Sequence, residues 1–414
     1  MDASNSVWLR SPRTRAFRAL AYPSYRRFFS GALVVQLGFW LSHISFQGLM
    51  VELTDNSEFH VTLLFTALFL PVLIVAPFAG TAVDRLDRKR LLVTCYALLG
   101  AGAFTMSMLA SADALTPGLL LVGALAMGSF MAVLGPTMMA VSANAVPPQH
   151  LGSAVTTQAI VGNVTRVVGP SLAAPLVAGK HFGLAYLLYA IACGIALTIV
   201  TRVRLNPYTP EIDTTSVFAR FRTGLQHARE RRPAAPTLVS VAVLSAFGVS
   251  HIALLPSFTE EALGQSSGRF AWVITTTGAG AVLGSALAGS MQASLSLRRA
   301  GMLALGYSAF LLAFAASTSF VMALVIQFGV GVFYFAAFTT MQTIIQTVVD
   351  DAKRGRVMSL FQISWSGLVP IGSMIMGGLA DGAGLGARRT LLITSSICVL
   401  WSLGMVLRHP PERD

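Results

Sequence analysis

A chain of 414 residues with 54% hydrophobic and only 11% charged side chains cannot clothe a water-facing surface, since an ordinary soluble domain carries about a quarter charged residues. A mean hydropathy of +0.69 excludes a string of two or three soluble domains and makes the lipid bilayer the natural solvent. The net charge of +12 would suggest nucleic acid as a partner of a soluble protein; here the placement of the charge decides its meaning.

The chain opens on a basic arm, residues 1–27, bearing Arg10, Arg13, Arg15, Arg18, Arg26 and Arg27. An arm rich in arginine and poor in acids also fits an organellar transit peptide, whereas the first apolar run is too long and polar for a cleaved secretory signal. Apolar runs of bilayer-spanning length, about 20 residues, then follow at 29–51, 61–83, 90–111, 117–143, 152–178 and 183–203, and again at 235–257, 270–292, 299–317, 320–346, 357–380 and 388–408. The pattern predicts an all-α membrane protein of twelve transmembrane helices, because a barrel would show short alternating strands. A hydrophilic linker, 204–234, separates a six-helix bundle over 28–203 from a second over 235–408, and residues 409–414 form a tail. Within the linker, Val217, Phe218, Phe221 and Leu225 recur near helical spacing among arginines. Either a short helix on the membrane surface or a plain solvated linker fits. At an offset of 203 residues Gly128, Gly152, Gly169 and Gly183 fall on Gly331, Gly355, Gly372 and Gly386, which suggests that the halves are related.

Most of the 29 lysines and arginines fall on the side of the termini. After the second span come Arg85, Arg88, Lys89 and Arg90; the linker region holds Arg202, Arg204, Arg220, Arg222, Arg229, Arg231 and Arg232; further on stand Arg298, Arg299, Lys353, Arg354, Arg356, Arg408 and Arg413. The opposite side holds only Lys180, Arg269, Arg388 and Arg389, so both termini are predicted to be cytoplasmic in a plasma or inner membrane. The basic excess is a topology signal, and no nucleic-acid partner is expected. Cys95, Cys193 and Cys398 sit in separate apolar runs with no metal-ligand spacing, so neither metal nor cofactor is expected.

One stretch resists this description: "GTAVDRLDRKR", Gly80 to Arg90, places six charges between two apolar runs. It resembles the signature loop of the major facilitator superfamily, with Gly80, Asp84, Arg85, Arg88 and Lys89 on the pattern and Asp87 where that family usually has glycine. "RGRVMSLFQISWSGLVPIGSMIMGGLAD", Arg354 to Asp381, and "NVTRVVGPSLAAPL", Asn163 to Leu176, look like the eleventh and fifth helices of its enterobactin-exporter-like, transmembrane secretion effector branch. The resemblance implies a major facilitator fold of two pseudo-symmetric bundles, a monomer, and transport by alternating access. It further implies that Asp84 faces the positive start of the eleventh helix, near Gly355 and Arg356, when the cytoplasmic side is closed. Gly80 would let the second helix approach a neighbour closely.

Arg166 is the only basic residue deep in a span and should face the protein interior, one helical turn from Asn163. The resemblance places the first, fourth, seventh and tenth helices around a central cavity. Gln36, Trp40, His43 and Gln47 share one face of the first helix, and Gln327, Tyr334 and Phe338 share one face of the tenth. The seventh offers Phe247 and His251. A lining of this kind suits a medium-sized, largely apolar ligand, a drug or siderophore-like metabolite, with Arg166 tolerating an anionic group. No aspartate or glutamate lies in mid-span; Glu52, Asp84, Glu260, Glu261 and Asp381 sit near helix ends. Phe39 stands where the branch often carries an aspartate, and the fourth helix lacks the arginine common to related exporters. Proton coupling is therefore left open, with His43 the best titratable candidate. No phosphate-cradling loop or catalytic constellation occurs, so the chain is not expected to be an enzyme. Efflux leads; a metabolite importer or facilitator and a non-transporting scaffold or sensor are the alternatives.

Overall fold

The computed structural model describes residues 17–55, 57–205, 217–290 and 296–408. Thirteen long helices carry the architecture: α1 (Pro23–Leu53), α2 (Glu58–Arg85), α3 (Arg88–Ser111), α4 (Pro117–Asn144), α5 (Leu151–Ala178), α6 (Phe182–Thr201), α7 (Val217–Glu230), α8 (Ala234–Ala262), α9 (Phe270–Ser290), α10 (Leu297–Ala316), α11 (Phe320–Val348), α12 (from Asp351–Gln362 to Gly378–Gly382) and α13 (Gly386–Arg408). Eleven are long and apolar enough to cross a bilayer, and the 28-residue α5, apolar over Val164–Ala178, supplies the twelfth crossing. α7 lies in the linker. Large apolar side chains such as Val122, Val325, Leu400 and Leu407 point outward, as lipid-facing surfaces require.

The helix ends follow from local chemistry. Pro23 and Pro117 stand at first helical positions, where a missing N–H costs nothing. This starts α1 six residues before the apolar run at 29–51. Thr116, Ser296 and Ser319 accept from the amides of Leu119, Arg299 and Met322, satisfying donors that an apolar start would strand. Asp87 does the same for α3, its carboxylate 2.8 Å from the Arg90 amide, which gives a physical reason for an acid in that position.

Packing repeats between the halves. α2 against α4 and α3 against α6 in the first bundle correspond to α9 against α11 and α10 against α13 in the second. Two seams join the bundles, α5 with α9 and α2 with α12. The α2–α12 seam runs from Asp381 beside Phe59, through Thr66 donating to the Pro370 carbonyl at 3.2 Å, to Gly367 beside Leu73. Gly377 makes the approach possible: a Cβ there would lie 2.0 Å from Thr62 Oγ1. The α5–α9 seam runs from Gly268 against Ala178 to Gly278 against the Arg166 carbonyl. Both seams occupy the half of the molecule away from the termini, here called the far face. Among the described residues no comparable seam joins α2 to the Asp351–Gln362 segment. Among the described residues, contact between the bundles is thus concentrated at the far face.

Candidate functional site

The α1 stripe divides along its length. Gln36 and Trp40 are half-buried, whereas His43 and Gln47 are 4% and 1% exposed. The Gln47 amide lies 3.2 Å from His43 Nε2, and the imidazole stacks on Phe39 at 5.5 Å with Trp40 and Phe69 edge-on. Trp40 rests on α5 at Gly169, where a Cβ would fall 2.3 Å from its own. One end of the stripe is therefore half-exposed and the other closes an aromatic nest.

Arg166, one turn before Gly169, reaches across to the second bundle. Its guanidinium stands 4.5 Å from the Phe335 ring centroid, a cation–π contact that keeps a charge within an apolar setting. Beside it, Trp365 donates to the Tyr334 hydroxyl at 2.7 Å, and Phe338 packs on Tyr334 at 4.6 Å. Phe361 lies 6.0 Å from Trp365. Trp365 belongs to a π-helical turn, Ile363–Gly367, whose extra residue per turn swings its side chain toward α11. Arg166 of α5, Tyr334 and Phe338 of α11 and Trp365 of α12, from three separate stretches of sequence, thus converge between the bundles. Phe247 is half-buried on α8. His251 and Gln327 are brought together inside the second bundle: the Gln327 amide lies 3.0 Å from His251 Nε2, and His251 Nδ1 donates to the Gly248 carbonyl at 2.6 Å. At 2% and 0% exposure they face packing.

The gating residues are spread over two places. Gly80, Asp84 and Arg85 lie on the last turns of α2, with their side chains outside the described residues, as is that of Asn163. Arg88 donates to Asn144 Oδ1 at 2.7 Å, and Lys89 to the Thr201 and Val203 carbonyls at 2.7 and 2.8 Å, where a cation meets the negative end of α6. Gly355 is exposed with open space around it, and the Arg356 backbone is covered by Gly224 of α7. α7 is pinned there by Arg231, both of whose contacts to the Asp350 carboxylate measure 2.9 Å, and by the buried His227, 3.5 Å from the same group. Hydrogen bonding from Arg231 holds the Asp350 carboxyl below its ordinary range.

Several participants escaped the sequence reading. Phe39, Phe65 and Phe69 carry no signal beyond apolarity, and Phe335 precedes an apolar tract. Asp381, in sequence only an acid near a helix end, accepts from Ser57 Oγ and the Phe59 amide, both at 2.8 Å, capping the start of α2 from the other bundle. Among the described residues no cluster of His, Cys, Asp and Glu could hold a metal.

The profile of the transmembrane secretion effector family matches residues 14–412. The chain belongs to that family of major facilitator superfamily transporters. The staphyloferrin A transporter of Staphylococcus aureus is 24% identical over 378 residues, covering 90% of this chain and 93% of that one. The multidrug efflux pump Tap of Mycobacterium tuberculosis is 24% identical over 401 residues, covering 92% of each. Among solved structures, the nucleoside transporter NupG superposes with a TM-score of 0.72 at 12% identity over 93% of this chain and 98% of that one. A bacterial homologue of the lysosomal transporter Spinster does so with 0.69 at 15% identity over 93% and 97%. The expected twelve-helix major facilitator fold and the assignment to a transporter rather than an enzyme both hold.

Proposed function

We propose that this transporter exports a medium-sized amphipathic molecule, drug-like or siderophore-like, by alternating access. The observation that carries the reading is Arg166, which extends from the first bundle over Phe335 of the second, beside the Tyr334–Trp365 pair. A cation within an aromatic wall that both bundles build favours a ligand with a large apolar body and an anionic or polar end. Gln36, Trp40 and Phe247 are the half-buried residues closest in kind to a ligand surface, while His43, Gln47, His251 and Gln327 would set the shape behind it. The relatives include a transporter named for staphyloferrin A and a multidrug efflux pump, which fits this class of substrate. The arginine and lysine bias favours cytoplasmic termini in a bacterial inner membrane, so the far face, where the described contacts between the bundles concentrate, would look outward. Asp84 and the start of α12 would meet only when the inner side closes.

A thermal-stabilisation screen of the purified chain against amphipathic drugs, siderophores and sugars tests the reading. A stabilising hit should lose affinity by about 10–100-fold in Arg166→Gln, the range for removing a charged partner. Hits indifferent to both Arg166→Gln and Trp40→Ala would place the ligand elsewhere. Inside-out vesicles that accumulate the hit would support export, and right-side-out accumulation would favour import.

A further inference from the structure

The closed far face, outward-facing on the reading above, brings together three carboxylates. Glu58 begins α2 in the first bundle; Glu261 ends α8 and Asp381 ends α12 in the second, and both act electrostatically on Glu58. Their situations differ. Asp381 accepts two hydrogen bonds at the positive start of α2. Glu58 is 3% exposed; one oxygen takes the Ala387 amide at the start of α13, and Oε1 has no hydrogen-bond partner. No cation lies within ion-pair distance of Glu58 among the described residues. The neighbouring bases are engaged elsewhere: Arg388 donates to the Ala262 carbonyl and stands over Phe258, Arg269 bonds Gln265, Lys180 pairs with Glu52 at 2.6 Å, and His60 bonds Ser57. Glu260 adds further negative charge from α8, Asp55 lies in the nearby turn, and Arg389 follows Arg388 on α13.

A carboxylate cannot rest there without penalty, taken out of water beside two exposed acids with a single amide for support. A carboxylic acid can, because its O–H gives the orphaned oxygen a proton to donate to a neighbouring carboxylate. We propose that Glu58 is a proton-binding site of the outer gate: the far face closes over Glu58 when that carboxyl is protonated, and loss of the proton to the outside medium favours opening. The proposal rests on alternating access. Proton affinity is higher in the closed state than in the hydrated open one, so closure gains as pH falls through the closed-state titration. Across that window the closed-to-open ratio changes by up to about tenfold per pH unit.

The test uses the full chain in nanodiscs with spin labels on Ala112→Cys and Thr318→Cys, exposed positions in far-face connections of the two bundles. The native Cys95, Cys193 and Cys398 are buried and leave the background low. Between pH 5 and 8 the short-distance population should dominate at acid pH and give way as pH rises. Glu58→Gln should stay closed across the range. Glu261→Gln, by removing a like charge, should move the midpoint to lower pH. A wild-type distance indifferent to pH, or a pH response that survives Glu58→Gln, overturns the proposal. If the distance ignores pH but responds to Asp381→Asn, the bundles still move and this inference alone falls. If no variant or condition moves it, alternating access itself falls.

Discussion

The two ends of the α2–α12 pair carry the same parts, an acid near the close of one helix and the start of the other, and the described contacts lie at one of them. At the far end Asp381, near the close of α12, caps the first turn of α2, and Gly377 lets the helices touch. At the near end Asp84 sits near the close of α2, and among the described residues no matching seam reaches the Asp351–Gln362 segment, whose start is held by α7 through Arg231 and Asp350. Each helix thus carries, near its C-terminal end, an acid suited to its partner's positive N-terminus. On the proposed alternating-access reading the two latches would engage in turn, because a molecule with both fastened could not move. The comparison gives Asp84 in "GTAVDRLDRKR" a counterpart, Asp381, at the other end of the molecule, which the loop alone does not reveal.

Substitutions can break the comparison, the strongest first. Gly377→Val should prevent far-face closure, since overpacking at a site where a Cβ already meets Thr62 costs about 1–3 kcal/mol. Spin-label distances across that face should lengthen, and transport should stall. Asp381→Asn keeps the shape but removes the charge facing the α2 terminus, a loss of about 0.3–2 kcal/mol that should shift the population toward the outward-open form. Asp84→Asn should shift it the other way and slow transport through failure to close the inner side; equal effects of the two on the same face would refute reciprocity. Arg231→Gln should have the smallest effect, freeing α7 from Asp350 and raising proteolytic cleavage within the linker with little change in transport. Because Arg231 lowers the Asp350 titration, this tether is fully formed above the ordinary carboxylate range. It should weaken as pH falls through the depressed value, so acid should reproduce the Arg231→Gln cleavage pattern.

Much of the architecture was legible because a bilayer leaves the chain few choices. A run of apolar residues long enough to cross must be a helix, and twelve such runs with a break after the sixth describe the fold. Helix starts were less legible: α1 begins at Pro23 and α12 at Asp351, among charged residues that mark the interface and not its end. In the candidate site, the one-face spacing of Gln36, Trp40, His43 and Gln47 was readable, but its division into a half-exposed end and a buried end was not. That division depends on which neighbours arrive, Phe39, Phe69 and Gly169 among them. His251 and Gln327 could be assigned to the same faces as Phe247 and Tyr334, yet they bond each other inside the bundle.

By itself the sequence determined that this chain lives in lipid, crosses it as helices in two sets of six, and places most of its positive charge on one side. These follow from solvation, a property each segment carries alone. Only the tertiary structure decided that Arg166 meets Phe335, that Asp381 caps the helix of another bundle, and that Glu58 is buried beside two exposed acids. Those are contacts between segments hundreds of residues apart, and periodicity says which face of a helix is polar but not which partner comes to meet it.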